Sequence, residues 1–141
     1  MTFTLDPRLE NDTYTIAELP LCRVLLMNDA RYPWAILVPR RPGITEVFAL
    51  NQAEQRQFWE EGTRLGEAMM TAFKGDKLNV ATLGNVVSQL HLHVVIRRQG
   101  DDSWPGPVWG QGCPLAYADG ALDATREQLS ALCAELTRAL S

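Results

Sequence analysis

The sequence is poor in histidine and cysteine, and it has no excess of basic residues. Its 141 residues include two histidines and three cysteines, and the formal net charge at pH 7 is -4. The cysteines, at positions 22, 113 and 133, form neither a disulfide framework nor a CxxC pair, which indicates a reducing compartment. The negative charge argues against a general nucleic-acid coat, because such proteins present a basic surface.

Long apolar runs and a leader-like start are also missing. No run approaches the roughly 20 apolar residues of a membrane-spanning helix. The opening residues, MTFTLDPRLENDT, lack the basic and apolar regions of a signal peptide. The sequence also contains no repeat, low-complexity tract or linker. We therefore expect one domain, residues 1–141, in a cytoplasmic protein without a membrane partner.

What the sequence does contain predicts an α+β fold with an antiparallel sheet, one long central helix and a C-terminal helix. Two short apolar runs on either side of a turn predict a hairpin. Asn51 and Glu54 have the spacing of a capping box at the start of the central helix. The predicted strands span 21–27, 34–39, 77–84 and 87–97, and the predicted helices span 51–75 and 121–140.

Both histidines lie in one segment, SQLHLHVVI (88–96). Alternate side chains of a strand point to opposite faces, so Gln89, His91, His93 and Val95 are expected to share one face. The intervening aliphatic residues form the other face and are expected to pack on the core. The histidine face is therefore predicted to border a surface or cleft that no helix covers.

The residues alone leave three interpretations of the histidine pair open. The first is two polar residues on a wet sheet face. The second is a zinc site, for which Cys22, Cys113 or a carboxylate would have to supply a further ligand. In the third, one imidazole attacks a phosphate to form a covalent phosphoramidate, and the other donates to a phosphoryl oxygen or assists the leaving group.

The segment QLHLHVV resembles the signature of the histidine triad (HIT) family, in which three histidines alternate with apolar residues (H-φ-H-φ-H-φ-φ). Gln89 stands at the first histidine position, and every other position agrees. Upstream, LGNVVSQ (83–89) is similar to the family's phosphate-facing approach, and LLMNDARYPWAILVPRR (25–41) is similar to its first hairpin. The resemblance extends over residues 18–100.

This resemblance implies a domain that pairs into a homodimer, binds nucleotides, and hydrolyses or transfers nucleotidyl groups. Nucleoside phosphoramidates and dinucleoside polyphosphates are among the family's substrates. No cofactor is expected to be required, and dependence on a metal ion is left open. His91 would form the nucleotidyl intermediate, and His93 would hydrogen-bond the phosphate. The other implied nucleotide contacts are Gly84, Asn85 and Val86 at the phosphate, Asn28 or Asp29 at the ribose, and Leu26 at the base.

Gln89, which we group with His91 and His93 as a catalytic candidate, departs from the family pattern. Glutamine makes hydrogen bonds but carries no positive charge near neutral pH, so it can orient neighbours and cannot supply a proton. Many family members have a further histidine nearer the N-terminus, which this chain lacks. We expect a working or weakened enzyme, and the alternative is a nucleotide-binding module without turnover.

Arginines and tryptophans are the remaining candidates. Strand alternation extends the histidine face to Arg97, which is predicted to help balance phosphate charge. The segment 101–112 is rich in proline and glycine and predicts either a pinned loop or a flap whose Trp104 stacks on a base. Trp34 and Trp59 are expected in the core or an interface. The weaker charge-balancing candidates are Arg40, Arg41 and Arg98.

Overall fold

A five-stranded antiparallel sheet organises the protein, whose computed structural model describes residues 2–140. The first and last positions of the predicted domain lie outside the described residues. The strand order is β1-β2-β3-β5-β4. The elements are α1 (Pro7–Asp12), β1 (Thr13–Glu18), β2 (Cys22–Met27), β3 (Trp34–Pro39), a 3-10 turn (Val47–Ala49), α2 (Gln52–Ala72), β4 (Lys77–Ala81), β5 (Leu92–Arg97) and α3 (Asp119–Leu140).

The predicted α+β class, the hairpin and both long helices are confirmed. The capping box at the start of α2 is present: Asn51 Oδ1 accepts from the Glu54 amide at 2.9 Å, and Glu54 Oε1 accepts from the Asn51 amide at 3.0 Å. Gly62 lets α2 approach β5 closely, since a Cβ there would lie 2.2 Å from Leu92 Cδ2. The central helix therefore lies directly behind the strand that carries His93.

The elements α1, β1 and the 3-10 turn were missed, and two strands were predicted too long, since β4 ends at Ala81 and not at residue 84. α1 has only six residues, too few for a helical period to be visible, although Pro7 and the Asp6 cap favour its start. β1 contains a register shift between Thr15 and Ala17, which breaks its alternation. β5 begins at Leu92 and not at residue 87, because residues 82–91 are irregular.

The sheet has a helix face and a histidine face. The helix face packs against α2 and α3, and its strand residues include Val24, Leu26, Leu37, Leu92, Val94 and Ile96. The histidine face carries Leu25, Met27, Trp34, Ile36, His93 and Val95. The prediction that no helix covers the histidine face is wrong, because Leu9 of α1 and Val108 of the 98–118 segment pack on it. Within residues 2–140, no helix combines the length and apolarity needed to span a membrane.

Candidate active site

His91 and His93 lie side by side at the start of β5. Their ring centroids are 4.9 Å apart, the ring planes are inclined at 70°, and each residue is 6% exposed. Strand alternation determines the face of His93 only, since β5 begins at Leu92. The position of His91 is determined by the irregular residues that precede the strand. The two rings are nevertheless brought together, as the sequence pattern predicts.

A cavity of about 370 Å³ lies in front of both imidazoles. This volume is within the range of small-molecule sites. The cavity walls combine the N-terminal residues with the sheet and the segment before β5. The wall residues besides the histidines are Leu9, Asp12, Thr13, Met27, Ile36, Trp109 and residues 83–87.

A second cavity, of about 330 Å³, adjoins the first. Met27, His93 and Trp109 line both of them. Asp29 and Arg31 also border the second cavity, together with Trp34, residues 108–112 and Pro114. His93 is therefore accessible from two compartments, whereas His91 borders only the first of these two.

The hydrogen bond made by His91 determines which of its ring nitrogens has the lone pair when the ring is neutral. Its Nδ1 lies 2.7 Å from the backbone oxygen of Gln89. A carbonyl oxygen only accepts hydrogen bonds, so Nδ1 carries a proton, and in the neutral ring Nε2 keeps an unshared electron pair. His91 therefore has the tautomer that a nucleophilic imidazole requires.

His93 has a different environment. The indole Nε1 of Trp34 donates to His93 Nδ1 at 3.0 Å, and the ring centroid of Trp109 lies 5.3 Å from that of His93. Burial, and to a lesser extent the charge of His91, lowers the pKa of His93 from 6.5 to about 3. His93 is thus a neutral ring at physiological pH.

The predicted phosphate approach lies beside the histidines. Gly84, Asn85 and Val86 line the first cavity together with His91. Gly84 has a φ of +80°, a left-handed conformation that glycine adopts without strain. Their location agrees with the expectation from the sequence, and their contact with a phosphate stays a prediction.

The side chain of Gln89 lines neither of the two cavities beside the histidines, and its role as a catalytic candidate stays a prediction. Its side-chain Oε1 accepts from the Asp6 amide at 2.8 Å, and its Nε2 donates to the Thr4 carbonyl at 2.9 Å. The residue precedes β5, so strand alternation does not extend to it. Gln89 instead ties the N-terminal arm (residues 2–12) to the histidine segment.

Three other candidates are corrected by their positions. Leu26 packs in the core of the helix face and is 1% exposed, whereas its neighbour Met27 lines the cavities. Arg97 is 2% exposed and makes a bidentate pair with Asp101, with both N···O distances at 2.8 Å. The ring of Trp104 lies 5.6 Å from the Arg97 guanidinium, and neither residue lines the two cavities.

The weaker arginine candidates also bond away from the histidines. Each of the three guanidinium groups has hydrogen-bond partners elsewhere in the structure. Arg40 donates to the carbonyls of Leu19 and Pro20, Arg41 to Glu54, and Arg98 to the carbonyl of Phe73. No arginine among these lines either cavity beside the histidines.

Asn28 and Asp29 occupy different positions. Asn28 Oδ1 accepts from the Tyr117 amide at 3.0 Å. Asp29 is 1% exposed, borders the second cavity and pairs with Arg31 at 2.9 Å. Burial raises the pKa of Asp29, but hydrogen bonds from Arg31 and Leu115 outweigh it and the net shift is downward. Of the two ribose candidates, Asp29 is the one that borders a cavity with His93.

Several residues of the site were missed from the sequence. Met27, Trp34 and Ile36 lie on the histidine face by strand alternation, so that signal was available in the hairpin. Leu9, Asp12 and Thr13 had no comparable signal, because α1 is too short to be recognised. Trp109, and not Trp104, is the indole of its segment that faces His93.

The described part of the chain contains no group of side chains that could bind zinc. Within residues 2–140, no three side chains of His, Cys, Asp or Glu come together to hold a metal ion. Cys22 is buried in the core of the helix face and Cys113 is exposed, so neither joins the histidines.

Comparison with known proteins points to one family. Residues 8–100 match the family model described as HIT domain. The structure is similar to the crystal structure of a histidine triad protein from Marinobacter aquaeolei VT8, with a TM-score of 0.94 and 47% identity over 96% of this chain and 99% of that chain. No match was found among the curated proteins.

Two further solved structures are similar over most of their length. A histidine triad protein from Bradyrhizobium japonicum has a TM-score of 0.92 and 43% identity, covering 94% of this chain and 99% of that chain. A histidine triad (HIT) protein from Sinorhizobium meliloti 1021 has a TM-score of 0.89 and 44% identity, covering 91% of this chain and 95% of that chain.

Proposed function

The chain belongs to the histidine triad family, and on that basis we propose that it hydrolyses or transfers nucleotidyl groups through a nucleotidyl-His91 intermediate. The observation that carries the proposal is the hydrogen bond of His91. Its Nδ1 lies 2.7 Å from the Gln89 carbonyl oxygen, so the neutral ring has its lone pair on Nε2, and the ring lines a 370 Å³ cavity. The substrate class is a nucleoside phosphoramidate or a dinucleoside polyphosphate.

In the first step, the lone pair of His91 Nε2 attacks the α-phosphorus. A nitrogen–phosphorus bond forms while the bond to the leaving group breaks, and the leaving group keeps the bonding electrons. A phosphate leaving group departs as an anion, and an amine takes its proton from solvent. The remaining nucleotidyl group is held on His91, beside Gly84, Asn85 and Val86.

In the second step, water attacks the phosphorus and releases a proton to solvent. The electrons of the nitrogen–phosphorus bond return to His91 Nε2, and a nucleoside monophosphate leaves. In a transfer reaction, an acceptor hydroxyl or amine takes the place of water. The apolar wall formed by Leu9, Met27 and Ile36 would contact the base, and Asp29 would contact the ribose.

Incubation with adenosine 5′-phosphoramidate or a diadenosine polyphosphate, followed by measurement of AMP, tests the proposal. His91→Ala should lower the rate of AMP release by roughly 10³-fold or more, because it removes the nucleophile. A quenched reaction should contain protein whose mass is increased by one nucleotidyl group on the peptide that includes His91. Binding of AMP without any turnover would instead support the alternative, a non-catalytic nucleotide-binding module.

The proposal also includes a homodimer, a cytoplasmic location and folding of the whole chain as one domain. β1 and β4 form the two edges of the sheet, and an edge strand offers unpaired backbone groups to another chain. The mass of the protein in solution, measured by light scattering, tests the dimer. A mass of one chain at all concentrations would contradict it.

A further inference from the structure

We propose that Trp34 is a positioning residue that locks His93 as a neutral hydrogen-bond donor, so that His93 holds a phosphoryl oxygen and transfers no proton. The proposal rests on the proposed function for its phosphate, but the state of His93 can be measured without turnover. It also separates the roles of the two histidines: His91 is the ring that reacts, and His93 is a fixed donor.

The position of Trp34 follows from the register of the sheet. Trp34 is the first residue of β3 and pairs with Val95 of β5, while Ile36 pairs with His93. Trp34 and His93 are therefore diagonal neighbours on the histidine face, within reach of a large side chain. The Trp34 indole Nε1 lies 3.0 Å from His93 Nδ1, and Trp34 is 4% exposed.

The indole decides the tautomer of His93. An indole N–H only donates hydrogen bonds, so His93 Nδ1 must accept, and the ring proton must be on Nε2. This is the opposite of His91, whose Nδ1 donates to the Gln89 carbonyl. The two adjacent rings therefore present a lone pair and an N–H group, respectively, from their Nε2 atoms.

The hydrogen bond from Trp34 and the burial of the ring prevent His93 from gaining or losing a proton. Protonation would place an N–H group at Nδ1 directly against the Trp34 N–H group, in a buried site. Loss of the Nε2 proton would leave an imidazolate anion in that site, which burial also disfavours. His93 can therefore donate a hydrogen bond to a phosphoryl oxygen, but the leaving group must take its proton from solvent.

The surroundings of His93 hold few charges that could alter this state. The titratable neighbour of His93 along the chain is His91, which precedes β5, and Arg97 at the end of β5 is paired with Asp101. Asp12 lines the first cavity, and the paired Asp29 and Arg31 line the second. The elements packed against the ring otherwise contribute uncharged residues: Trp34 and Ile36 of β3, Ala81 of β4, and Val108 and Trp109 of the 98–118 segment.

Trp109 provides a matched control for Trp34. Its ring centroid lies 5.3 Å from that of His93, slightly closer than the 5.7 Å of Trp34. Its Nε1, however, has no hydrogen-bond partner within the described residues. Trp34→Phe and Trp109→Phe therefore remove similar aromatic contact, and only the first removes a hydrogen bond to His93.

Nitrogen-15 NMR of the two imidazole rings tests the proposal. In the wild-type protein, His93 should be the Nε2–H tautomer alone, and His91 the Nδ1–H tautomer. In Trp34→Phe, the Nδ1–H form of His93 should appear, and the pKa of His93 should rise because the opposing indole N–H group is removed. Trp109→Phe should keep the single Nε2–H form. A wild-type His93 with its proton on Nδ1, or equal behaviour of the two variants, would overturn the proposal.

The pH profile of AMP release provides a readout that loss of packing alone would not change. Wild-type kcat/KM should show one ionisation on the acid side, and Trp34→Phe should show a second. Two acid-side ionisations in the wild-type protein would contradict the proposal. If the wild-type protein shows no turnover, the proposed function fails while the NMR spectra still decide the state of His93. If Trp34→Phe does not fold, the wild-type spectrum decides alone.

Discussion

The two faces of the sheet differ in what covers them. The helix face is covered by two helices of 21 and 22 residues, and its buried residues form one continuous core. The histidine face is covered by a six-residue helix and the irregular 98–118 segment, and it retains two cavities. Close packing on one face stabilises the fold, and incomplete packing on the other leaves space for a ligand beside the histidines.

A pair of leucine truncations gives the largest expected difference between the faces. Leu65 of α2 is fully buried on the helix face, and Leu65→Ala should lower the free energy of unfolding by about 2–5 kcal/mol. Leu9 of α1 is 5% exposed and already borders a cavity, so Leu9→Ala should cost less, about 2 kcal/mol or below. Urea unfolding measures both values.

The order of the two variants should be reversed in nucleotide binding, where Leu9→Ala should have the larger effect. Leu9→Ala removes part of the cavity wall and should weaken AMP binding several-fold, whereas Leu65 lies on the other side of the sheet. Equal losses of stability, or weaker binding in Leu65→Ala than in Leu9→Ala, would show that the two faces do not divide packing and binding as described. Isothermal titration calorimetry with AMP, on variants shown to be folded, provides the second measurement.

As the pH falls, the free energy of unfolding should decrease first through His93 and only at lower pH through the paired carboxylates. The pKa of His93 falls from 6.5 to about 3 on folding, so the unfolded chain binds a proton below about pH 6.5 while the folded protein does not. Stability should therefore decrease as the pH falls from about 6.5 towards 3. At pH 4.5 the loss should reach about 2–3 kcal/mol, from 1.36 kcal/mol per pKa unit.

His93→Gln is the control for this acid sensitivity, because glutamine has an oxygen that can accept from Trp34 and does not titrate. The variant should lack the loss between pH 6.5 and 4.5. The carboxyl of Asp101, whose pKa is lowered by hydrogen bonds from Arg97, loses its contribution only below its ordinary value of 3.8. Identical pH profiles for the wild-type protein and His93→Gln would exclude His93 as the source.

The same contrast explains how much of the molecule the sequence predicted. Helical spacing and the capping box at Asn51 predicted α2, and two apolar runs predicted the hairpin, because these signals are local. The cover of the histidine face depends on distant contacts. The Leu115 amide, for example, donates to Asp29, and the Arg31 guanidinium donates to the Gln111 carbonyl, and no local pattern indicates either contact.

Within the site, the errors have the same origin. The histidine pair was predicted because both residues lie next to or within β5. Gln89 was assigned to their face by extending strand alternation to residue 87, but the chain is irregular before Leu92. Arg97 does lie in the strand, yet Asp101, four residues later, neutralises its charge in a buried pair. Alternation predicts the face of a side chain but not its partner.

Gln89→His gives the smallest expected effect and tests whether the side chain at position 89 takes part in the reaction, since its backbone carbonyl already bonds His91. Gln89 bonds the N-terminal arm at Thr4 and Asp6, so a histidine there should not bring a third imidazole to the phosphate. We expect kcat to change by less than about 3-fold, below 1 kcal/mol in activation free energy. Because the arm carries Leu9 and Asp12 of the cavity wall, KM should rise if the substitution loosens the arm.

Gln89→Ala, which loses both hydrogen bonds to the arm, should lower the free energy of unfolding by about 1–2 kcal/mol and should also raise KM. A large increase in kcat for Gln89→His alone would mean that position 89 reaches the reacting phosphate, and that the arm is not its main partner during turnover.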